Sequence, residues 1–406
     1  MLHRARTSGR HYRRPATGAG DDPLSTGQSQ SGSDLAVALT GGGARGAYQV
    51  GVLTWLARNY PELHVPILTG VSAGAINAAH IAAHPGTFPQ ATQELRSLWS
   101  ELTPESVFKV DASSLSWLAM RFGFRLVSGG LIKPPKTRGF LDTAPLRDLL
   151  DEVYATIDGE LTGIEANLTR HKLKAVAISA TSYSTGQSVT FVQGRDITLW
   201  ERPQRIAVKT HMRVEHIMAS AALPIFFPAV QIANAWYGDG GIRLAAPLSP
   251  ALHLGAEKIL AVSTRYDRSR AESNVQMIRD YPPPAQVLGV LMNAVFLDLV
   301  DQDALRLIRM NRLIERLPEE KRDGMRSVKL LVMRPSRDLG RLVAEYEPKL
   351  PTAFKFMTRG LGTRETRSPD MLSMLMFQAD YLTRLMEIGE ADAEARAEEI
   401  EKFLKI

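Results

Sequence analysis

The chain contains no cysteine. Disulfide frameworks, thiolate zinc sites, iron–sulfur clusters and cysteine nucleophiles are therefore excluded together. The absence fits a reducing compartment, and a cytoplasmic protein is expected, with many exported proteins also lacking the residue. No uninterrupted apolar run reaches the ~20 residues needed to span a bilayer. The longest candidate, Ala285 to Val300, is broken by Gln286, Asn293 and Asp298, so a soluble or peripheral protein is expected. No internal repeat is visible. Neither sign of charge dominates: 49 Lys and Arg stand against 43 Asp and Glu, a net charge of +6. That mild basicity suits an anionic membrane surface as well as it suits nucleic acid.

The remaining composition is ordinary for a globular chain, with 406 residues, 44% hydrophobic and 23% charged, and it is long enough to bury a sizeable core. Residues 1–34 read as a disordered basic leader. They are rich in Ser, Gly, Thr and Arg, with Leu2 and Leu24 as their large aliphatics besides Met1, too little apolar surface to offset the entropy of ordering. Arg4, Arg6, Arg10, Arg13 and Arg14 precede the first acid, Asp21. They read as a solvated leader or as a weak electrostatic membrane tether. No apolar stretch follows them, so a secretory signal peptide is not expected. One interleaved aromatic, Tyr12, and no recognition module argue against a nucleic-acid partner.

Leu35 to Thr40 is a short apolar run followed by glycines, a buried strand. Val65 to Thr69, Leu173 to Ser179, Lys258 to Ser263 and Lys329 to Met333 read the same way. Ala47 to Asn59 carries apolar residues at helical spacing with Pro61 beyond it, and Ala73 to Ala83 is an Ala-rich helix. Apolar strands with helices between most of them imply an α/β fold: a mostly parallel central sheet flanked by helices in three layers. From about Arg265 the chain reads as mainly helical, after a break at Tyr281 to Pro284. Val287 to Val300 reads as an amphipathic helix packed on the core, and Met371 to Met376 as helix packing. Glu387 to Ile406 is acidic and Ala-rich, most simply an exposed helix.

Three segments carry chemistry. Gly41-Gly42-Gly43-Ala44-Arg45-Gly46 lies after a strand and before a helix. Glycines there let a negative group approach main-chain N–H groups at a helix N-terminus. Alone, the segment also suits a dinucleotide fingerprint, which wants an acid ~20 residues on, at the end of the next strand. That strand ends in Thr69 and Gly70 instead. Next, Gly70-Val71-Ser72-Ala73-Gly74 places GxSxG between strand and helix. This is the context of a nucleophile elbow, a strained turn that needs small neighbours two positions either side of the serine. The third segment, Trp236-Tyr237-Gly238-Asp239-Gly240-Gly241, sets one carboxylate among glycines. Alone it reads as a hairpin turn; beside the other two it supplies a base.

A histidine base is poorly supported. Only His253 follows Asp239, fourteen positions on in a helical stretch; His80 and His84 lie down the elbow's own helix, and His211 and His216 flank another.

The order GGGARG, GVSAG, DGG resembles the patatin-like phospholipase family. The connecting text GAYQVGVL, GFLDTAPLRDLL and ASAALPIFFPAV matches as well, over roughly Leu35 to Ser263, and the later stretch SMLMFQADYLTRLMEIGEADA is similar, less sharply, to the end of bacterial patatin-like proteins. The resemblance implies a catalytic domain over 35–264 and a mainly helical region over 265–406. It implies Ser72 as nucleophile and Asp239 as base of a Ser–Asp dyad. Gly41, Gly42 and Gly43, with backbone N–H groups up to Ala44 and Arg45, would form the oxyanion hole. Gly46, Gly70, Gly74, Gly240 and Gly241 complete the motifs. Lipid or other acyl esters are the implied substrates, with association at a membrane surface, and no metal or organic cofactor is called for. Leu115 to Leu126, aromatic, apolar and dotted with arginines, reads equally as an interfacial cap or as a buried helix. The competing functions are a membrane-interaction protein without catalysis and, less well supported, a dinucleotide-binding oxidoreductase.

Overall fold

Strand β1 (Leu35–Leu39) alternates: Leu35, Val37 and Leu39 point into a large apolar core, Ala36 and Ala38 into a smaller one on the opposite face. A strand buried on both sides has no polar face, which is why it reads as a continuous apolar run. The computed structural model describes residues 34–109, 141–269, 272, 274, 281, 284–296, 299–350 and 370–405. The leader before Asp34 and the cap expected at 115–126 lie outside the described residues.

The described residues form one ten-stranded sheet. β2 (Ile67–Val71) and β9 (Lys258–Val262) flank β1, β3 (Ala175–Ser182) lies beyond β2, and β10 (Lys329–Met333) lies beyond β9; all five run parallel. Past β3 the sheet turns mixed. β4 (Ser188–Gly194) and β8 (Ala235–Asp239) both pair antiparallel with β3, along different stretches of it. β6 (Arg205–Lys209) runs parallel to β4, while β5 (Glu201–Arg202) and β7 (Val230–Ile232) complete the edges. The α/β, mostly parallel, helix-flanked architecture is thus as expected. The helices expected between most of the predicted strands are present; between β3 and β9 the chain adds strands not read beforehand, of which β5, β6 and β7 at the margin are short and none is buried.

On the large-core face lie α1 (Gly46–Asn59), α2 (Ala73–Ala83) and α3 (Phe88–Glu101). Helix Ala379–Ala395 packs across α1, burying Tyr381, Leu382, Leu385 and Met386. On the other face, helices Ser249–His253 and Leu299–Arg316 contribute Ala251 and Ala304. Two expectations for the C-terminal stretch are corrected. The acidic end is two helices, breaking at Arg396, and it is not simply exposed: Ile388, Ala393, Ile400 and Phe403 are buried, because the apolar positions fall on one face. The stretch from Val287 packs only in part. Met292 is buried, but Val287, Val290 and Leu291 are about half exposed. The Met-rich stretch does pack, with Met371, Met374 and Met376 all buried.

Candidate active site

The topology brings the three segments to one end of the sheet. β1 and β2 are paired neighbours, with Leu39 opposite Gly70, so the loops leaving their carboxyl ends, Gly41–Arg45 and Ser72, are adjacent. β3 lies beyond β2, with Ser179 opposite Val71, and β8 ends against β3 with Asp239 opposite Ala180. Three neighbouring strands therefore deliver the glycine loop, the serine and the aspartate to the crevice where open α/β sheets bind ligands.

Ser72 occupies a strained conformation, φ 56° and ψ −129°, between β2 and α2. A non-glycine residue held there costs on the order of 1–3 kcal/mol and persists only where its surroundings dictate it. Here they do. A side chain at Gly70 would collide with the backbone of Gly74 and Ala75, and one at Gly74 with the Leu39 carbonyl. The small residues of GxSxG are thus demanded by the crossing of β1, β2 and α2. The Ser72 N–H donates to Ser220 Oγ at 2.9 Å, and that hydroxyl donates to the Ser179 carbonyl at 2.7 Å.

Asp239 is fully buried. Its Oδ1 accepts from the Gly241 N–H at 2.9 Å, and its own N–H donates to the Ala222 carbonyl at 3.0 Å. Oδ2 is buried without a hydrogen bond of full geometry among the described residues. Burial pushes the carboxyl up to about 7, while the Ser72 hydroxyl and the Gly241 N–H favour the charged form and hold it down. An acid lifted toward neutrality is a far better proton acceptor than one at its usual ~3.9.

The glycine loop turns sharply, with φ 150° at Gly42 and 56° at Gly43, and enters a short 3-10 turn, Gly43–Arg45, ahead of α1. The Gly41 carbonyl accepts from Thr264 Oγ1 at 2.6 Å. The Arg45 N–H is donated to the Gly42 carbonyl at 3.2 Å and is thus engaged within the turn. A buried polar chain fixes the turn from below. Gln49 Nε2 donates to the Thr40 carbonyl at 2.8 Å, and Asn77 Nδ2 donates to Gln49 Oε1 at 3.0 Å and to the Gly46 carbonyl at 3.2 Å. Trp99 Nε1 donates to Asn77 Oδ1 at 2.8 Å.

Ser72 and Gly43 open onto a narrow cleft of about 620 Å³, counting its open mouth. Its other walls are apolar: Ile76, Leu98, Trp99, Leu102, Val107, Leu146, Leu149, Leu150, Leu223, Phe227, Met374, Leu375 and Phe377 among them. Asp239 stands behind Ser72, outside the lining.

The histidines weighed as bases are engaged elsewhere. His80, lowered to about 4 by burial, lies 3.1 Å from the Ala91 carbonyl, and His84 lies 3.1 Å from the Glu94 carboxylate. His216, also lowered to about 4 by burial, sits inside helix Val214–Ser220 and accepts the Arg213 N–H at 3.0 Å. His211 pairs with Glu160 at 3.2 Å, and His253 stacks on Trp200. Among the described residues no cluster of His, Asp or Glu is placed to hold a metal ion, and no helix is long and apolar enough to cross a membrane.

Sequence reading missed Ser220, Thr264, Gln49 and Asn77. The last two carried a signal: each is a lone amide in a mainly apolar helix stretch. Ser220 and Thr264 carried none, since their partners are 148 and 223 positions away.

The chain is similar to several known proteins. Human GIVD cytosolic phospholipase A2, in complex with methyl gamma-linolenyl fluorophosphonate, aligns at 14% identity with a TM-score of 0.42, over 92% of this chain and 59% of that one. VipD from Legionella pneumophila aligns at 14% identity and a TM-score of 0.33, over 87% and 67%. A cGAMP-activated phospholipase of Pseudomonas aeruginosa is 29% identical over 227 residues, which are 53% of this chain and 55% of that protein. The chain thus spans little more than half of that relative's length. Residues 37–252, which hold all three motifs, match the patatin-like phospholipase family, and the chain belongs to that family.

Proposed function

We propose that the protein is a serine lipid acyl hydrolase that cleaves fatty-acyl esters through a Ser72–Asp239 dyad. The observation that carries this reading is the pairing of a strained serine, at an apolar slot, with a buried carboxyl raised to about 7 behind it. The acyl chain lies among Trp99, Leu146, Leu150 and Phe227, and its carbonyl carbon meets Ser72 Oγ. Asp239 takes the hydroxyl proton as the C–O bond forms. The oxyanion is held by main-chain N–H groups of the Gly41–Ala44 loop, each such donor contributing about 3–4 kcal/mol. Collapse expels the alcohol with the proton from Asp239 and leaves an acyl-Ser72 ester. Water, deprotonated by the same carboxylate, then releases the fatty acid. No step calls on a metal or an organic cofactor.

The family and its phospholipase relatives support lipid substrates, and access to them implies work at a membrane surface. A fluorophosphonate probe is expected to label Ser72. Ser72→Ala and Asp239→Asn are each expected to abolish ester hydrolysis while the circular dichroism spectrum stays native. Because the Pseudomonas relative is cGAMP-activated, the assay is run with and without that nucleotide. Full activity in Asp239→Asn would refute the dyad. Liposome binding with no turnover of any ester would favour the membrane-interaction protein. Saturable NAD binding would favour the oxidoreductase, against which the acid-free end of β2 and the serine on it both speak.

A further inference from the structure

Helix Asp370–Leu375 lies outside the segment that matches the family, yet it closes on the glycine loop. Its Met374 and Leu375 form part of the cleft wall. Gly43 sits directly under it, where a side chain would collide with the Met374 carbonyl. Two residues on, Arg45 is buried at 3% exposure and turns its guanidinium into this helix. Its Nε donates to Ser373 Oγ at 2.7 Å, and a terminal nitrogen donates to Asp370 Oδ1 at 2.6 Å and to the Asp370 carbonyl at 3.4 Å. The Ser373 hydroxyl in turn donates to the Asp370 carbonyl at 2.6 Å. The second carboxylate oxygen, Oδ2, accepts from Asn293 Nδ2 at 2.7 Å, with Arg268 at 4.0 Å.

A guanidinium is planar, permanently charged and directional, so two partners on one helix fix its plane and its stem. The stem of Arg45 belongs to the 3-10 turn, and the Arg45 N–H is tied to the Gly42 carbonyl. Displacing the side chain therefore displaces the turn that presents the loop amides. The charge of Arg45 is matched by Asp370 and withdrawn from the cleft, so this arginine acts as an anchor and leaves the anion to the backbone.

We infer that Asp370 is a positioning residue: through Arg45 it fixes the glycine-loop N–H groups against Ser72, so the hydrolytic site is completed by a helix beyond the family segment. The inference rests on the proposed nucleophile. Its test separates rate from active fraction. A fluorophosphonate is titrated to its end point to count reactive Ser72, and the labelling rate constant and p-nitrophenyl ester kinetics are then measured per active site. Asp370→Ala and the near-isosteric Asp370→Asn are expected to lower the labelling rate constant and kcat by about 10- to 100-fold. KM should stay within about threefold, since the acyl slot is unchanged. Asp370→Glu should recover part of the rate. Ser373→Ala, which removes the Nε acceptor and the hydroxyl bond to the Asp370 carbonyl but keeps the ion pair, guards against a misfolded Asp370 variant and should show a smaller loss of the same kind. A purely structural role would lower the number of labelled sites and leave the rate per site unchanged. That result, with wild type labelled normally, overturns this inference alone. Wild type that takes no label at Ser72 overturns the nucleophile assignment and this inference with it.

Discussion

Asp239 as an ion has no exposed surface, and its Oδ1 alone holds a well-formed hydrogen bond. Its folded-state pKa of about 7 lies above the unfolded value near 3.8. Two consequences follow with definite signs. The base form is populated only above that value, so kcat/KM should rise roughly tenfold per pH unit below pH 7 and level off above it; a limb centred near pH 4 would show an ordinary, solvated carboxylate. The folded state also holds the proton more tightly than the unfolded state. This group therefore contributes most stability below the unfolded pKa, and that contribution is lost as pH rises toward 7. Asn cannot ionise, so Asp239→Asn should raise the melting temperature at pH 8, and the gain should shrink as the pH falls from 7 toward 4. Thermal scans across that range check it; a uniform loss of stability would contradict it.

Helix Val214–Ser220 and the turn after it lie between the two residues of the proposed dyad and bond to both. Ser220 Oγ holds the Ser72 N–H, and the Ala222 carbonyl holds the Asp239 N–H. Both ends of the Ser–Asp couple are thus referenced to one short segment, ASAALP, which the sequence shows only as an Ala-rich run. Ser220→Ala leaves the Ser72 N–H buried and unpaired, a loss of about 1–3 kcal/mol. Urea unfolding should show that destabilisation, and the same variant should lose kcat with KM nearly intact as the strained elbow relaxes. A variant with native stability and native kcat would remove Ser220 from that role. The elements that were legible beforehand are those whose own backbone dictates them. β10 and α2 sit where their apolar patterns place them, and GxSxG announces itself because glycines must occupy Gly70 and Gly74. β5 and β6 were not legible, since Glu201 and Arg202 are both charged and β6 holds only three apolar residues, Ile206 to Val208, between Arg205 and Lys209. Ser220 and Asp370 were equally silent, because each acts on a partner 148 or 325 positions away.

At the scale of the whole molecule, the C-terminal helices are built into the same core as the site. β10 extends the parallel sheet past β9. Helix Ala379–Ala395 crosses α1 so closely that a side chain at Gly389 would collide with the Tyr48 carbonyl. Since α1 begins where the glycine loop ends, Gly389→Ala should destabilise the protein by about 1–3 kcal/mol through overpacking, visible as a lower urea midpoint. An unchanged midpoint would contradict so close a crossing.

The most direct trial of the Ser72–Asp239 chemistry is capture of its covalent intermediate. Wild type and Asp239→Asn are mixed with a fatty-acyl ester, quenched within milliseconds, digested and mapped by mass spectrometry. An acyl group on the peptide containing Ser72 in wild type, and none in Asp239→Asn, is the expected result. Ester turnover with the acyl group on another residue, or an equal adduct in both proteins, would contradict it.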